Sequence, residues 1–224
     1  MKFIGHLDLL KIFQSAIRRA KLPVSYSTGF NPHQRLSFAA PLPVGMDSVC
    51  EYIEIILDEQ ADVMVLNDHL PNRLVLLDKW MISENAPSPA AAVVAADYRL
   101  TLENRSGDHR PGDLHSEDHR PDDYHRKIDE ILSKNEITVM KKTKRGEQMV
   151  DIRPDILDME YDPIGAINIR TSAGSARNLN PTLIAREICP DMKYKITRIE
   201  IYGAEHLSIE EHLRLVPLHE AVIS

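Results

Sequence analysis

The spacing of apolar side chains near the start of the chain predicts one amphipathic helix. Apolar residues recur at helical spacing over residues 8–20. Asp8 is placed to cap the N-terminus of this helix, and Pro23 stops it. Arg18 and Arg19 fall in its last turn, where positive charge complements the helix dipole. The helix therefore offers an apolar side to a core and a basic, polar side to solvent.

The rest of the first half alternates extended segments with one more helix. The predicted elements are strands at 24–27, 35–38, 49–57 and 73–83 and a helix at 60–70. The first two strands lie within residues 23–45, a stretch rich in proline and glycine. Long, weakly structured segments of this kind are uncommon in compact domains and usually have a function. One strand before the first helix would complete a split βαβ order, and Lys2–Ile4 is the segment available to supply it.

The second half repeats this order after a linker. Residues 85–92 (NAPSPAAA) are a linker by composition. The elements predicted beyond it are strands at 95–102, 136–143, 147–153, 164–171 and 194–202 and helices at 124–132 and 181–188. Asn180 is the expected N-cap of the second helix, with Pro181 at its first position. A short final helix is expected to begin at Ser208, with Glu211 completing a capping box.

These patterns predict an α+β protein of two tandem ferredoxin-like (split βαβ) domains with antiparallel sheets. The expected divisions are a first domain at 1–84, the linker at 85–92, a second domain at 93–205 with a polar insertion at 104–123, and a tail or short helix at 206–224. The insertion repeats Asp-His-Arg-Pro, and within or beside it lie His109, His115, His119 and His125. Their spacings match no closed metal site, so we expect neither a metal nor a cofactor.

Composition narrows the class of protein. Hydrophobic residues make up 43% of the chain and charged residues 27%, which is ordinary for a globular protein. No apolar run approaches the roughly 18 residues of a membrane span, and the first residues lack a signal peptide's apolar stretch. We therefore expect a cytoplasmic protein with no membrane partner. Cys50 and Cys189 are expected to be reduced, buried thiols.

Charge is distributed unevenly along the chain. The net charge is −7, yet residues 1–45 carry a balance of +5, which leaves −12 on the remaining 179 residues. The charged groups of this first segment are Lys2, Lys11, Arg18, Arg19, Lys21 and Arg35, with Asp8 as the one acid. An acidic protein with a basic end suits an anionic partner that docks locally, and it argues against a protein that coats nucleic acid along its length.

Several sequence blocks resemble those of one known family. The strongest are FIGHLDL at 3–9, RRAKLP at 18–23, YSTGFNPH at 26–33, RLSFAAPLPVG at 35–45 and EY at 51–52. Weaker blocks are KKTKRG at 141–146, VDIRP at 150–154 and GSARNLNP at 174–181. The chain thereby resembles the radical-SAM-linked family, a bacterial domain of unknown function found beside or fused behind radical-SAM proteins. The resemblance covers most of residues 3–203, apart from the insertion.

The resemblance implies a partner and no established activity. That partner is a radical-SAM enzyme acting in trans, because two cysteines cannot build a three-thiolate iron–sulfur site within one chain. Relatives usually carry a strand-like segment before the block at 3–9. Either Met1 is a misassigned start or the first strand of the first domain is missing, and in both cases an unfilled sheet edge would favour pairing with another chain.

One interpretation of the polar residues near the first helix is catalytic. His6 and Asp8 lie two positions apart before the first helix, and His33 lies in the loop rich in proline and glycine. If this loop folds over the helix start, the two imidazoles and the carboxylate converge, and histidine can act as a general acid or base near neutral pH. The alternative is structural: Asp8 caps the helix, and the histidines satisfy turns.

A binding surface for RNA or another phosphate-bearing substrate is the other interpretation. Guanidinium groups suit phosphates, helix N-termini favour anions, and aromatic rings stack on unpaired bases. The candidate binding residues are Arg18, Arg19, Tyr26, Ser27, Phe30, Asn31, His33, Arg35, Lys142, Arg145, Ser175, Arg177 and Asn178. The structural alternatives are a solvated turn for the lysine-rich hairpin and burial in the core for Tyr26 and Phe30.

Three hypotheses are therefore open on the sequence alone, and it decides neither whether the chain is an enzyme nor its oligomeric state. The first is an accessory module that binds tRNA or rRNA through its basic N-terminal surface and presents it to a separate radical-SAM enzyme. The second is an enzyme, a phosphodiesterase or a nucleotide-modifying activity, that uses His6, Asp8 and His33. The third is a protein-binding adaptor that docks the radical-SAM enzyme.

Overall fold

The chain divides into two compact units. The computed structural model describes residues 4–83, 85–103, 121–143, 146–163, 165–190, 192–206 and 213–217. Unit 1 takes the described residues of 1–45, 51–93 and 202–224, and unit 2 takes those of 46–50 and 94–201. The predicted mixed α+β class is confirmed, whereas the predicted tandem pair of ferredoxin-like domains is not.

The elements follow one another in mixed order along the chain. They are α1 (His6–Ala20), β1 (Leu36–Phe38), β2 (Asp47–Ser48), β3 (Ile53–Ile55), a 3₁₀ helix (Val63–Asp68), α2 (Pro89–Ala92), β4 (Val93–Glu103), α3 (Pro121–Ser133), β5 (Thr138–Thr143), β6 (Gly146–Asp151), a second 3₁₀ helix (Arg153–Asp155), β7 (Ile156–Tyr161), β8 (Ala166–Ser172), α4 (Pro181–Ile188), β9 (Lys193–His206) and β10 (Leu213–Pro217). No helix in these ranges is both long enough and apolar enough to cross a membrane.

Helix α1 forms as predicted but begins earlier. Its N-cap is Gly5, so Asp8 lies in the first turn and the prediction of Asp8 as N-cap is wrong. The carboxylate still favours the helix from there, because it lies near the positive end of the helix dipole. The helix ends where Lys21 adopts the left-handed conformation, with φ 54°, two residues before Pro23.

The apolar side of α1 closes the core of unit 1. The buried residues of this core are Phe13, Ala16, Ile17, Val24, Phe38, Leu66 and Leu70. Phe38 meets Phe13 edge to face, with ring centroids 5.5 Å apart. Burial of this apolar surface holds α1 against the extended segments that follow it.

Three of those segments, 24–27, 33–38 and 53–58, run side by side and are called the ribbon. β1 pairs antiparallel with β3, and Tyr26 bridges Gln34. The N–H of Arg35 donates to the carbonyl of Ser25 at 2.8 Å, so the first two segments form a hairpin. Because strand side chains alternate, Gln34 shares the inner face with buried Phe38, and Arg35 lies on the outer face.

Four elements of unit 1 differ from their predictions, and the first is the strand predicted at 24–27, which forms only isolated bridges at Val24 and Tyr26. The predicted strand at 49–57 is reduced to β3, and the predicted helix at 60–70 is the shorter 3₁₀ helix. The predicted strand at 73–83 does not form. The side-chain amide of Asn67 donates to the carbonyl of Leu76 at 3.0 Å and accepts its N–H at 2.8 Å. These bonds occupy the N–H and the carbonyl of Leu76, two of the backbone groups that a sheet ladder would use.

Unit 2 is built on a sheet in which β4, β7, β8 and β9 lie in the order β9-β4-β8-β7. β8 runs antiparallel to both β4 and β7. β2 runs parallel to β9, and Lys195 of β9 pairs with Asp47 of β2 at 3.0 Å. β7 was not predicted, because its register shifts between Ile156 and Asp158 and interrupts the period-two pattern.

Most other predictions for the second half are confirmed. The strands at 95–102, 164–171 and 194–202 correspond to β4, β8 and β9, the helix at 124–132 to α3, and the hairpin to β5 and β6. The Oδ1 of Asn180 accepts the N–H of Thr182, so Asn180 caps α4 with Pro181 in its first turn. The short final helix expected at Ser208 and Glu211 falls on residues outside the described ranges, and beyond them Leu213–Pro217 pairs with β9 as β10. Ser208 and residues 104–120 of the insertion lie outside the described residues.

Candidate functional site

Two exposed aromatic side chains mark the tip of the ribbon hairpin. Phe30 has a relative exposure of 107%, and Tyr26 has one of 52%. Burial of these two rings, the structural alternative considered from the sequence, is therefore wrong. Gly29 makes the tip possible because its φ of 123° lies in a region that other residues avoid. The whole tip, residues 28–32, is exposed.

A pair of polar side chains closes the base of this tip. The N–H of Ser27 donates to the carbonyl of His33 at 2.8 Å, and the N–H of His33 donates to Ser27 Oγ at 3.1 Å. Ser27 Oγ also lies 2.8 Å from His33 Nδ1. The hydroxyl has one proton and two lone pairs, so it can also donate to Nδ1 in the tautomer that carries the ring proton on Nε2. In that tautomer exposed His33 is a hydrogen-bond donor to a ligand.

The outer face of the ribbon carries two further polar pairs that the sequence did not single out. The hydroxyl of Ser25 donates to Asp58, and that of Ser37 donates to Glu54 at 3.2 Å. Arg35 is exposed on the same face. The sequence did indicate that these residues share one face, because hydroxyl and charged residues alternate along the ribbon with the period of a strand.

A second polar surface runs along α1. An open groove of about 540 Å³ lies between α1 and the end of the first 3₁₀ helix, and it is lined by Lys11, Ile12, Ser15, Arg19, Asp68, His69, Leu70 and Pro71. Arg19 donates to the carbonyl of His69 at 2.6 Å, which holds the guanidinium at the groove. Arg18 donates to Ser15 Oγ at 3.1 Å. On the predicted basic side of α1, the guanidinium groups of Arg18 and Arg19 are thus held by hydrogen bonds.

The three candidate catalytic residues have different partners. His6 lies edge to face with Phe38, with ring centroids 5.6 Å apart. Asp8 lies 3.8 Å from Lys11 in an exposed ion pair. His33 forms hydrogen bonds with Ser27. Within the described ranges, no three histidine, cysteine, aspartate or glutamate side chains are grouped so as to hold a metal ion. Each of the three side chains thus has its own partner among the described residues.

One family model matches residues 1–181, and its description is an uncharacterised protein conserved in bacteria (DUF2344). The chain belongs to this family. No curated protein and no solved structure matches the chain. The functional argument for this DUF2344 protein therefore rests on the geometry of its own residues.

The loop before α4 uses its polar groups internally in this DUF2344 protein. Arg177 forms an ion pair with Asp155 at 2.7 Å. Of the first N–H groups of α4, that of Thr182 donates to the Asn180 side chain and that of Leu183 to the Asn180 carbonyl. Pro181 has no N–H. The donors expected to favour an anion are thus already occupied, although Ser175 and Asn178 are exposed.

The lysine-rich hairpin is described only in part. β5 pairs with β6 in the register that places Lys142 opposite Glu147, and Lys141 is exposed. The side chain of Lys142 and the whole of Arg145 lie outside the described parts of the chain. Asn31, the remaining candidate, is exposed at the ribbon tip.

The two cysteines are not poised for nucleophilic chemistry. Cys189 is 2% exposed, and burial raises the pKa of its thiol to about 11. Tyr124 lies beside it, stacks on Tyr161 and has a pKa raised to about 12, again by burial. Cys50 is half-buried, and its thiol donates to Glu200 at 2.9 Å. Burial and a carboxylate neighbour both disfavour a reactive thiolate.

Proposed function

We propose that this chain is an RNA-binding accessory protein of a radical-SAM system in the cytoplasm, with unit 1 as its binding unit. The observation that carries the proposal is the basic face of α1, where Lys11, Arg18 and Arg19 are all exposed. Two of them line the groove together with the hydroxyl of Ser15. Guanidinium groups bind phosphate oxygens with two parallel hydrogen bonds, so this face suits a phosphate backbone.

The charge around the groove indicates where phosphates would bind. Lys11 already lies near Asp8, and Asp68 lines the groove next in the chain to His69. The hydrogen bonds of Arg18 and Arg19 go to uncharged groups, the hydroxyl of Ser15 and the carbonyl of His69, so we place the phosphates beside these two guanidinium groups. Lys11 and Arg19 are separated by about 12 Å along the helix axis, a length that spans several phosphates of one strand.

In this proposal a separate radical-SAM enzyme is the partner that carries out the reaction on the RNA. The resemblance of the N-terminal blocks supports this assignment, and the chain has two cysteines where a radical-SAM cluster needs three thiolates. The RNA bound by unit 1 would be presented to that enzyme. In this proposal the chain contributes recognition of the substrate and no reaction of its own.

Unit 2 has the element order of a ferredoxin-like domain, and we propose that architecture for it. A helix follows β4, two strands follow that helix, and α4 precedes β9. The spatial order β9-β4-β8-β7 supports the assignment, because it places the first strand between the fourth and the third. The hairpin of β5 and β6 is then an insertion before the second strand.

Binding of fluorescein-labelled single-stranded RNA, followed by anisotropy at several salt concentrations, tests the proposed function. We expect the logarithm of the affinity to fall linearly with the logarithm of salt between about 50 and about 200 mM. Replacing Arg18 and Arg19 together with alanine should reduce this slope by about 1.4, since each lost phosphate contact removes about 0.7 on single strands.

The matched control is the double substitution Arg126→Ala and Arg186→Ala. These arginines are exposed in unit 2, and their loss changes the net charge by the same amount. The control should leave both affinity and slope close to those of the wild type. RNA binding that does not respond to salt, or a control that weakens binding as much as the α1 variant, would contradict the proposed function.

A protein-binding adaptor is the second candidate, and one observation favours it. The extended segment after the first 3₁₀ helix exposes Val75, Leu77 and Met81, with relative exposures of 62%, 80% and 81%. Exposed apolar side chains in one segment are typical of protein interaction sites. If the adaptor hypothesis holds, Leu77→Ser with Met81→Ser should abolish co-purification with the radical-SAM enzyme. Unchanged co-purification would exclude this segment.

A further inference from the structure

We infer that the tip of the ribbon hairpin holds one unpaired RNA base, stacked on Phe30 and read at its edge by the amide of Gln34. This inference rests on the RNA-binding function proposed above. It names the substrate class more closely, as single-stranded RNA rather than duplex. It also assigns a recognition role to Gln34, which the sequence did not suggest.

Phe30 is held in place without packing on anything. The tip is ordered by Gly29 and by the hydrogen bonds between Ser27 and His33 below it. The ring of Phe30 is fully exposed, so the fold gains no burial energy from it. A rigid hairpin that presents an aromatic ring to solvent is preorganised for stacking, because little conformational entropy is lost when a flat ligand covers the ring.

Gln34 is the second observation, and it is independent of the exposed rings. It is 4% exposed, and neither its Nε2 nor its Oε1 has a hydrogen-bond partner among the described residues. A buried amide left unpaired costs free energy that a bonded partner would recover. One donor beside one acceptor matches the edge of a nucleobase, as in the bidentate pairing of glutamine with adenine.

The pairing of the hairpin brings these groups to one place. Tyr26 lies directly across from Gln34, so the two side chains share a face of the ribbon. Tyr26 is half-exposed, which leaves its ring room to turn aside and admit a base to the covered amide. The tip residues lie between these two positions, so Phe30 is within the same hairpin turn.

The surrounding chemistry favours a nucleic acid over an apolar protein pocket. Residues 26–35 contain no carboxylate, and they include Arg35 and His33, both exposed. In the tautomer that carries the ring proton on Nε2, His33 offers that proton to an acceptor, and a phosphate or a base carbonyl would satisfy it. A duplex is disfavoured because its bases are paired and stacked, whereas an unpaired base presents both a face and an edge.

The closing experiment compares a single-stranded RNA containing one 2-aminopurine with a duplex of the same sequence. Wild-type protein should quench the 2-aminopurine of the single strand, because the probe stacks on an aromatic ring. Phe30→Ala should lower single-strand affinity roughly 5- to 150-fold and leave duplex affinity unchanged. Val44→Ala, which truncates an exposed apolar side chain of unit 1 outside the proposed binding surfaces, is the control and should change neither.

Gln34→Met tests the edge-reading role separately. It keeps the length of the side chain and removes both hydrogen-bonding atoms. We expect quenching to persist while the preference among adenine, uracil and cytosine homopolymers falls by about tenfold. An unaltered preference would remove Gln34 from the proposal. Phe30→Leu provides a second test of stacking if Phe30→Ala fails to fold, since leucine keeps an apolar group without a ring.

The outcomes separate this inference from the proposed function. If Phe30→Ala and Phe30→Leu bind and quench as the wild type does, while Arg18→Ala with Arg19→Ala weakens binding, the base site is wrong and the RNA-binding function stands. If the wild type binds neither form of RNA, both proposals fail. Loss of single-strand binding confined to the Phe30 variants supports the base site.

Discussion

Two phenylalanines of unit 1 should respond very differently to the same substitution. Phe38 is 7% exposed and meets the rings of His6 and Phe13 edge to face. Phe30 is fully exposed at the hairpin tip. Phe38→Ala and Phe30→Ala therefore remove the same atoms from opposite environments. The comparison tests the division between core and binding surface on which the proposals depend.

The expected free-energy changes follow from burial. An aromatic side chain in a core buries about 150 to about 250 Å², which at about 25 cal/mol per Å² gives about 4 to about 6 kcal/mol as an upper bound. Measured truncations of buried phenylalanine cost about 3 to about 5 kcal/mol, including the cavity that remains. Phe38→Ala should fall in that range, and Phe30→Ala should stay within about 0.5 kcal/mol of the wild type.

Tryptophan fluorescence during urea unfolding measures this difference in unit 1. The chain has a single tryptophan, Trp80, and it lies in unit 1. With a slope of about 2 kcal/mol per M, the midpoint of Phe38→Ala should fall by roughly 2 M, and that of Phe30→Ala should hardly move. The reasoning is refuted if Phe30→Ala costs as much as Phe38→Ala, or if Phe38→Ala costs less than about 1 kcal/mol.

Two further predictions concern unit 2. Burial raises the pKa of Cys189 to about 11, so iodoacetamide at about pH 8 should label Cys50 well before Cys189, and equal rates in peptide mass spectra would contradict this. The N–H groups of Ile137 and Arg153 donate to Asp151 and hold its pKa below the usual carboxyl value. The stability that the Asp151 carboxylate contributes should therefore be present above the usual carboxyl pKa and be lost as the pH falls through its lowered pKa. The amide NMR signals of Ile137 and Arg153 should shift together in that pH range. Asp151→Asn should show no such titration.

The candidate site was only partly predictable, and its residues show why. The basic face of α1 followed from helical spacing, because residues three and four apart share a face whatever surrounds the helix. The exposure of Tyr26 and Phe30 did not follow, since an aromatic residue in a loop is buried or exposed according to what packs over it. The pairs of Ser25 with Asp58 and of Ser37 with Glu54 join residues far apart in the chain.

The sequence by itself determined the local features of this protein. It determined the helices α1, α3 and α4, the cap at Asn180, the strands whose period-two pattern is unbroken, and the basic charge of the first 45 residues. Each depends on spacing or on a contact within a few residues, and such interactions are encoded locally. Contiguous blocks of sequence likewise indicated a bacterial family of unknown function, which the match to DUF2344 supports.

The tertiary structure decided what depends on distant partners. Asn67 binds the backbone of Leu76 in the segment where the strand predicted at 73–83 does not form, and no local pattern anticipates that bond. Tyr26 and Gln34 become neighbours only when the hairpin closes. Secondary-structure propensity depends on residues that are close in sequence, whereas strand pairing and burial depend on which distant segments contact each other. For that reason the helices were visible in the sequence, and the base site proposed at the hairpin tip was not.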